Sequence, residues 1–275
     1  VSAMKIKSLT GLSYFQNLEK LDCSFTHLTK LNISKNAELE EFECGVNELT
    51  ELDVSNAVKL KSLSCRRNKL TKLDISSNAE LESLDCSDNK ITKLNTSRNT
   101  KLKKFYCNGN NLTSLNVRKN TKLEELICYG NQLANLDLRK STELEVLWCK
   151  DNQLTSLDVS KNIKLKKLMC EYNSLTKLDV SKNTELKYLN CSGNQLTSLD
   201  LCKCTELEVL WCEDNRLTSL DVSKCTKLKE LWCEDNKLTE LDISNNYYMI
   251  FAYFECDENV KVTEPDDEGE YDEGC

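Results

Sequence analysis

The sequence predicts a curved, right-handed solenoid built from short coils of equal length. Eleven cysteines fall 21 residues apart, and the leucines and asparagines around them keep the same register. Counted from its first leucine, the unit reads L-x-x-L-x-C-x-x-N-x-L-T-x-L-D-V-S-x-N-x-x. Eleven copies run from Leu18 to Tyr248 without an insertion. Units that stack and contact only their neighbours produce such a strict period.

Each unit contains one predicted strand, around positions 4 and 6. In the seventh copy these positions are Leu147 and Cys149, and they alternate with polar or aromatic residues at positions 3, 5 and 7. A period of two is typical of a strand with one buried face. Positions 11, 14 and 16, such as Leu154, Leu157 and Val159, return the chain along the other side of the core. We therefore predict a parallel concave β-sheet, with extended or 3₁₀ segments and little α-helix on the convex side.

Asparagine occupies position 9 in ten of the eleven units, and Thr26 replaces it in the first. The chain leaves the strand at this position, so backbone groups there need hydrogen-bond partners. A side-chain amide both donates and accepts, and stacked amides can therefore satisfy the corner of every coil. We interpret these residues as a structural ladder and not as a glycosylation or catalytic signal. They are Asn47, Asn68, Asn89, Asn110, Asn131, Asn152, Asn173, Asn194, Asn215 and Asn236.

The eleven regularly spaced cysteines allow three interpretations. Metal binding requires cysteines two to four residues apart with convergent side chains. Disulfides between successive coils are unfavourable because neighbouring side chains on a strand face run parallel. We favour the third interpretation, in which cysteine is a small apolar residue that fills a narrow core. The residues are Cys23, Cys44, Cys65, Cys86, Cys107, Cys128, Cys149, Cys170, Cys191, Cys212 and Cys233.

Four further cysteines lie outside this ladder and the last degenerate repeat. Cys204 and Cys225 both occupy position 19, in adjacent coils, where asparagine is usual. Because position 19 lies in a turn, its side chains need not run parallel, and the Cα atoms should be about 5 Å apart. We predict a Cys204–Cys225 disulfide if the protein is exported. Cys202 and Cys275 are either reactive or paired between chains.

The repeat pattern divides the chain into four segments. Residues 1–17 form a partial repeat that serves as an N-terminal cap, and residues 18–248 form the eleven repeats. Residues 249–262 form a degenerate C-terminal repeat, and residues 263–275 form an acidic tail. The tail is too acidic and too poor in apolar residues to pack against the core.

The charge distribution argues against nucleic acid as a partner. Between residue 255 and the C-terminus there are ten acidic residues and one lysine. The chain has 45 acidic and 37 basic residues in total, so the remaining body holds 35 acidic and 36 basic ones. Nucleic-acid-binding proteins usually carry a basic surplus. No apolar run approaches the length of a membrane span, so we expect no membrane insertion either.

The 21-residue period and its leucine spacing resemble leucine-rich repeats. The stretch from Leu165 to Asn183 closely resembles the cysteine-containing repeats of the internalin J type, which occur in bacterial surface proteins. The resemblance covers Leu18 to Asn259. It implies a leucine-rich-repeat solenoid in a bacterial protein that is secreted or located at the cell surface, often as an adhesin or host-interaction factor.

The sequence offers little that supports catalysis, and we predict a protein that is not an enzyme and has no cofactor or metal. The single histidine, His27, occupies an exposed position of the first repeat. Aspartate is frequent at position 15, which raises calcium binding as an alternative, but calcium-binding solenoids have glycine-rich turns that are missing from this repeat. Serine at position 17 favours local hydrogen-bonded turns instead. The aspartates are Asp53, Asp74, Asp137, Asp158, Asp179, Asp200, Asp221 and Asp242.

Position 5 is the most informative variable position, since it points away from the buried leucine and cysteine. Its residues are polar in the first four repeats and mainly aromatic or apolar afterwards, and all three tryptophans of the chain lie there. Aromatic residues also suit β structure and shield a sheet. Exposed apolar patches rich in Trp and Tyr, however, usually mark interaction sites. The predicted ligand-binding residues are Tyr106, Ile127, Tyr129, Trp148, Met169, Tyr172, Tyr188, Trp211 and Trp232.

These observations favour a monomeric module that binds a macromolecule through its concave face. The first hypothesis is a protein ligand, for example a host protein. The second is a glycan, with rings stacking on sugars and Glu213, Asp214, Glu234 and Asp235 accepting hydrogen bonds from hydroxyls. The aromatic column spans roughly 30 Å at about 4.8 Å per strand, and this length favours a protein. An intracellular scaffold is the third alternative.

Overall fold

The computed structural model describes residues 9–249 and 253–265. These residues form one 3₁₀ helix, Thr10–Tyr14, and fourteen short strands. Strands β1 to β11 lie at positions 3 to 5 of the eleven repeats, and β12 to β14 complete the C-terminal end. In chain order the strands are Lys20–Asp22, Glu41–Glu43, Ser62–Ser64, Ser83–Asp85, Lys104–Tyr106, Glu125–Ile127, Val146–Trp148, Lys167–Met169, Tyr188–Asn190, Val209–Trp211, Glu230–Trp232, Glu240–Asp242, Phe254–Glu255 and Lys261–Thr263.

The main sheet is parallel and contains twelve strands. Strands β1 to β11 follow one another in chain order, and β13 pairs with β11 at the end. The register between successive repeats is 21 residues, so that Leu147 lies beside Leu168 and Trp148 beside Met169. Strands β12 and β14 form a separate two-stranded sheet. The predicted solenoid with one parallel strand per repeat is confirmed.

A single apolar core runs through the coils. Leu147 and Cys149 of the seventh repeat are fully buried, as are Leu154 and Val159 on the return segment. Leu157 keeps only 6% of its surface exposed. Each coil therefore buries both sides of its unit against the coils before and after it, and no coil has a core of its own.

The convex side contains turns and extended segments, as predicted, and the described residues include no α-helix. Two consecutive turns occur in each coil. In the seventh repeat, the Asn162 N–H donates to the Val159 carbonyl at 3.0 Å, and the Leu165 N–H donates to the Asn162 carbonyl at 3.0 Å. The Asp158 carboxylate accepts the Ser160 N–H at 3.0 Å, which confirms the local turns expected at position 15.

The asparagines at position 9 bridge neighbouring coils. The Asn131 amide nitrogen donates to the Cys107 carbonyl of the preceding coil at 3.1 Å and to the Cys128 carbonyl of its own coil at 3.0 Å. Its oxygen accepts the Leu112 N–H of the preceding coil at 3.0 Å. The predicted structural ladder is confirmed. In the first coil, the Thr26 hydroxyl donates instead to the Cys23 carbonyl at 2.6 Å.

A second asparagine ladder, at position 19, was missed in the sequence analysis. The Asn162 amide nitrogen donates to the Leu138 carbonyl at 3.2 Å and to the Ser141 carbonyl at 2.7 Å, both in the preceding coil. Six of the seven amide oxygens in this ladder, unlike those of the first, have no hydrogen-bond partner among the described residues. All members of the second ladder are fully or almost fully buried. They are Asn36, Asn78, Asn99, Asn120, Asn162, Asn183 and Asn246.

The cysteine ladder is a row of free, buried thiols. Burial raises the pKa of the Cys128 thiol to about 12, and it raises the pKa of Cys149 well above the ordinary value. A thiol with such a pKa stays neutral and apolar in the core. The apolar interpretation of the ladder therefore agrees with its surroundings.

The predicted Cys204–Cys225 disulfide, which was conditional on export, stays a prediction. Both thiols are free and buried, and each replaces an asparagine of the second ladder. The Cys204 sulfur lies 3.9 Å from the Val180 carbonyl oxygen, and the Cys225 sulfur lies 4.0 Å from the Leu201 carbonyl oxygen. The two side chains thus point at successive coils in parallel, like the strand thiols. Cys202 is exposed, and Cys275 lies outside the described residues.

Position 8 is left-handed in all eleven repeats. Aspartate or glycine occupies it in seven of them, and these residue types tolerate positive φ better than others. Val46, with φ of 53°, is the most strained because its side chain is β-branched. This turn changes the direction of the backbone just before the position-9 amide. The position-8 residues are Phe25, Val46, Arg67, Asp88, Gly109, Gly130, Asp151, Tyr172, Gly193, Asp214 and Asp235.

The two ends of the solenoid are covered differently. At the N-terminal end, Leu12 of the 3₁₀ helix is buried, and its carbonyl accepts the Asn36 amide nitrogen at 3.1 Å. At the C-terminal end, the Asp257 carboxylate accepts the Asp235 N–H at 2.9 Å. Strand β14 reaches Thr263, one residue into the predicted tail. Residues 1–8 of the predicted cap and 266–275 of the tail lie outside the described residues, so the segment boundaries stay predictions.

Ion pairs join coils along the edge of the solenoid at positions 2 and 21. Each pair links a lysine to a glutamate 21 residues earlier in the chain. Exposed pairs of this kind contribute little to stability individually. The pairs are Lys59–Glu38, Lys61–Glu40, Lys101–Glu80, Lys103–Glu82, Lys164–Glu143, Lys166–Glu145, Lys227–Glu206 and Lys229–Glu208.

Loss of one position-9 amide should destabilise the solenoid strongly. In Asn131→Ala, backbone groups of two coils lose a buried partner, and each unsatisfied group costs about 1–3 kcal/mol. We expect the free energy of unfolding, measured by urea denaturation, to fall by at least about 2 kcal/mol. Asn135→Ala is the matched control, since Asn135 is an exposed residue of the same coil. Equal losses in the two variants would contradict the bridging role.

The thiols should differ sharply in reactivity. In the reduced native protein, we expect iodoacetamide to modify the exposed Cys202 first and the half-buried Cys256 next. The ladder thiols and Cys204 should react only after unfolding, because they are buried and carry raised pKa values. Peptide mass mapping with and without guanidinium measures this. Modification of ladder cysteines at the rate of Cys202 would show that the core opens readily.

Candidate ligand-binding surface

The outer surface of the twelve-stranded sheet, here called the concave face, presents positions 3, 5 and 7. In β7, Leu147 is buried in the core, whereas Val146 and Trp148 on either side of it are half-buried on this face. The same alternation holds in β6, where Leu126 is buried and Ile127 is half-buried. Core packing therefore leaves position 5 free to carry side chains for another purpose.

Two tryptophans form the most ordered part of the aromatic column. The rings of Trp211 and Trp232 stack with centroids 4.7 Å apart and planes 11° from parallel. Their strands pair directly, so the ring spacing follows the spacing of the backbone. Both side chains remain half-exposed. The pair is thus a rigid apolar patch that solvent still reaches.

Acidic residues at position 3 hold the polar edges of two rings. The Trp211 Nε1–H donates to Glu230 Oε1 at 2.8 Å, and the Tyr106 hydroxyl donates to the Glu125 carboxylate. In both cases the acceptor belongs to the next coil. Burial, together with the Glu125 carboxylate, raises the pKa of Tyr106 above its ordinary value. These bonds fix ring orientation before any ligand arrives.

Lysines lie over two of the tyrosines. Lys150 Nζ is 5.3 Å from the centre of the Tyr129 ring, and Lys167 Nζ is 4.9 Å from the centre of the Tyr188 ring. Such cation–π contacts are worth roughly 0.5–1 kcal/mol at exposed sites. They add to the order of the face without covering it.

Asn190 interrupts the column at position 5. It is 7% exposed, and its side-chain oxygen accepts the Ser192 N–H at 3.0 Å. The aromatic and apolar residues therefore form two parts. One runs from Tyr106 to Met169, and the other is the pair of Trp211 and Trp232.

The predicted residues outside position 5 occupy the margins of the face. Tyr129 is half-buried, Tyr188 is 36% exposed, and Tyr172 is 58% exposed. Tyr172 lies against Gly193 of the next coil, where an added Cβ atom would be 2.6 Å from the tyrosine ring. Only a glycine at this left-handed position accommodates the ring. The structure places all nine predicted residues along this side of the solenoid, and their binding role stays a prediction.

The sequence analysis missed a buried carboxylate, Glu171 at position 7. Only 5% of this residue is exposed, and burial raises the pKa of its carboxyl group. Lys150 Nζ lies 3.6 Å from Oε1, but Oε2 has no hydrogen-bond partner among the residues that the structure describes. The same holds there for the hydroxyl of Ser192 and for Oε2 of Glu213. Alternation along the strand places position 7 on this face, but the burial of Glu171 depends on its neighbours in space.

His27 lies 3.7 Å from Glu48 on the exposed surface. The part of the chain that the structure covers holds no cluster of three or more acidic, cysteine or histidine side chains placed to bind a metal ion. Within the same part, no helix is long and apolar enough to cross a bilayer. A groove of about 670 Å³ lies at the N-terminal end, near Leu9 and Leu31, away from the aromatic column.

Comparisons with known proteins agree with this geometry. A family model described as leucine-rich repeats in two copies matches residues 184–224 and 205–246. The functional domain of InlJ from Listeria monocytogenes, described as including a cysteine ladder, is 40% identical with a TM-score of 0.88. The match covers 91% of this chain and 56% of that one, so the chain spans about half the length of that structure. This chain has the leucine-rich-repeat fold with a cysteine ladder.

Two other solved structures share the fold of this leucine-rich-repeat protein. The internalin InlF from Listeria monocytogenes is 20% identical with a TM-score of 0.84, and the match covers 96% of this chain and 81% of that one. The plant peptide hormone receptor RGFR1, solved in complex with RGF2, is 20% identical with a TM-score of 0.72. That match covers 96% of this chain and 50% of the receptor. No curated protein matches the sequence.

Neutralising Glu171 should stabilise the leucine-rich-repeat protein at neutral pH. Its raised pKa means that the folded state binds the proton more tightly than the unfolded state. This contribution to stability is present below the unfolded pKa and is lost as pH rises through the folded pKa. Glu171→Gln keeps the neutral form, so its Tm should exceed that of the wild type at about pH 7.5 and match it at about pH 3.5.

The matched control is Glu143→Gln, which removes the same charge from an exposed ion pair with Lys164. Melting curves by circular dichroism at both pH values give the comparison. A lower Tm for Glu171→Gln at neutral pH would mean that the contact with Lys150 outweighs the burial of the carboxylate.

Proposed function

We propose that this leucine-rich-repeat protein is a non-catalytic module that binds a protein ligand through its concave face. The observation that carries the proposal is the stacked, half-exposed pair of Trp211 and Trp232 on an open sheet. Rings that neighbours already hold lose little conformational entropy on binding, and Trp is the residue type most enriched in binding hot spots. Solenoid folds commonly use such extended concave surfaces to bind other proteins.

The size of the surface supports a macromolecular ligand. From Tyr106 to Trp232 the column crosses seven coils, which is roughly 30 Å at about 4.8 Å per strand. A protein or a peptide segment fits this length. We therefore take the nine predicted residues, centred on Trp148, Trp211 and Trp232, as the proposed contact surface.

The arrangement of the rings supports a protein ligand over a glycan. Sugars bind aromatic side chains through the flat faces of the rings. Trp211 and Trp232 each cover one face of the other at 4.7 Å, so less flat surface remains for a sugar. The acidic residues named for the glycan hypothesis, Glu213 and Glu234 among them, serve equally well as partners for basic groups of a protein.

We further propose that the protein acts as a monomer outside the bacterial cell or at its surface, as an adhesin or host-interaction factor. The support is its likeness to the functional domain of InlJ, of which it spans about half. The solved complex of the plant receptor with RGF2 concerns a protein that shares the fold alone. Fractionation of the native organism and light scattering of the purified protein test location and oligomeric state.

The proposal is tested by peptide selection on the folded protein. A random peptide library displayed on phage is panned on the wild type and then assayed on the double variant Trp211→Ala with Trp232→Ala. We expect selected peptides to bind the variant with a Kd at least about 30-fold higher, because hot-spot truncation costs about 2 kcal/mol or more. Each of these tryptophans is outward-facing, so the variant should melt within a few degrees of the wild type.

A matched control and a glycan array complete the experiment. Tyr247→Ala with Tyr248→Ala removes two exposed aromatic residues away from the concave face and should not alter binding. Selected peptides that ignore the tryptophan change would refute the site. Tryptophan-dependent binding to glycans, without any peptide, would favour the alternative ligand class.

A further inference from the structure

We propose that the ligand contributes basic side chains that bind Glu171 and Glu213 beside Trp211. This inference rests on the proposed function and specifies the chemistry of the partner: a segment of a protein with at least two lysine or arginine residues. It starts from polar atoms on the concave face that the chain itself leaves without partners.

Glu171 is the central observation. A carboxylate that is 95% buried normally has both oxygens bonded, because an unpaired buried charge is costly. Here Lys150 approaches only Oε1, at 3.6 Å, and within the described residues Oε2 is left without a donor. The site thus lacks one donor, and a guanidinium or ammonium group supplies it.

The row at position 7 extends this site toward the C-terminus. Ser192 follows Glu171 in the next coil and Glu213 follows Ser192, and among the described residues the Ser192 hydroxyl and Glu213 Oε2 are also without partners. Lys150 occupies position 7 of the coil before Glu171, and its ammonium group already lies beside Glu171 Oε1. What remains is a run of acceptor atoms that are buried and have no donor among the described residues.

The local charge also favours a cation. In repeats 8 to 11, positions 3, 5, 7 and 8 together hold six acidic side chains and one basic side chain, Lys167. Trp211 and Trp232 lie on the neighbouring row at position 5, and the face of an indole ring attracts a cation within about 6 Å. Carboxylate and aromatic groups side by side match the flat, forked guanidinium of arginine.

The spacing favours two nitrogen cations over one metal ion. Glu171 and Glu213 are two coils apart, which is roughly 9.6 Å between backbones at about 4.8 Å per strand. In a polyproline II segment, which has three residues per turn and a rise of about 3.1 Å per residue, residues three apart lie on the same side and roughly 9.3 Å apart. Two basic residues with two others between them therefore fit one to each carboxylate.

The test uses a blocked hexapeptide in which two arginines are separated by two glycines. Its partner probe replaces both arginines with citrulline, which keeps the shape and removes the charge. Fluorescence anisotropy of labelled peptides at about 150 mM salt limits long-range effects, because the screening length there is about 8 Å. We expect the wild type to bind the arginine peptide at least about tenfold more tightly than the citrulline peptide.

Charge-matched variants locate the effect. Glu171→Gln with Glu213→Gln should abolish the preference for arginine. Glu143→Gln with Glu206→Gln removes two charges from exposed ion pairs on the edge of the solenoid and should retain it. The melting temperature of each variant checks that it is folded.

Two results would overturn the inference. One is equal binding of the two peptides by the wild type. The other is an equal loss of preference in both double variants, which would indicate a general effect of net charge. Selected peptides that require Trp211 and Trp232 but ignore Glu171 and Glu213 would reject this inference and leave the proposed function standing. Peptides that ignore the tryptophans would reject the proposed function itself.

Discussion

The hydrogen bonds of the position-9 amide underlie the rest of this structure. At that corner the chain leaves the strand and passes through a left-handed residue, so carbonyl and N–H groups of two coils face the core. One asparagine, such as Asn131, satisfies groups in its own coil and in the preceding one. Each amide bonds to backbone groups of two adjacent coils. Successive amides must therefore lie one coil apart. The constant 21-residue period follows from this requirement, and the small cysteine beside it follows from the narrow core that results.

The same constraint separates the side chains that hold the coil from those that can vary. Leucine, cysteine and asparagine occupy the inner positions, whereas positions 3, 5 and 7 make few demands on the fold. The tryptophan pair and the incompletely bonded Glu171 both lie at such free positions. Since neither is needed to close a coil, their presence is better explained by a ligand than by stability. One repeat can therefore combine a stable core with surface polar groups that lack hydrogen-bond partners.

How much the sequence could predict depends on how far apart the interacting residues lie. Periodicity alone located the strands, the buried leucines and the outward direction of Trp148, because these properties repeat within one unit. It could not predict that Glu171 is buried, since this depends on side chains of adjacent coils such as Lys150. The contacts of Cys204 could not be predicted for a related reason. Position 19 looked like a free turn, but its side chain contacts a carbonyl group 24 residues earlier.

The coil-to-coil contacts also determine how the molecule would respond to tension. Strands β1 to β11 bond to one another only as neighbours in the chain order, and the described part of the sheet has no long-range strap across several coils. A force that pulls on one end therefore loads the terminal coil first and leaves the inner ones intact. When one coil detaches, the solenoid becomes shorter by about 4.8 Å and roughly 70 Å of extended chain is released. A solenoid built in this way can lengthen stepwise under shear, while the coils that remain folded keep their side chains in place.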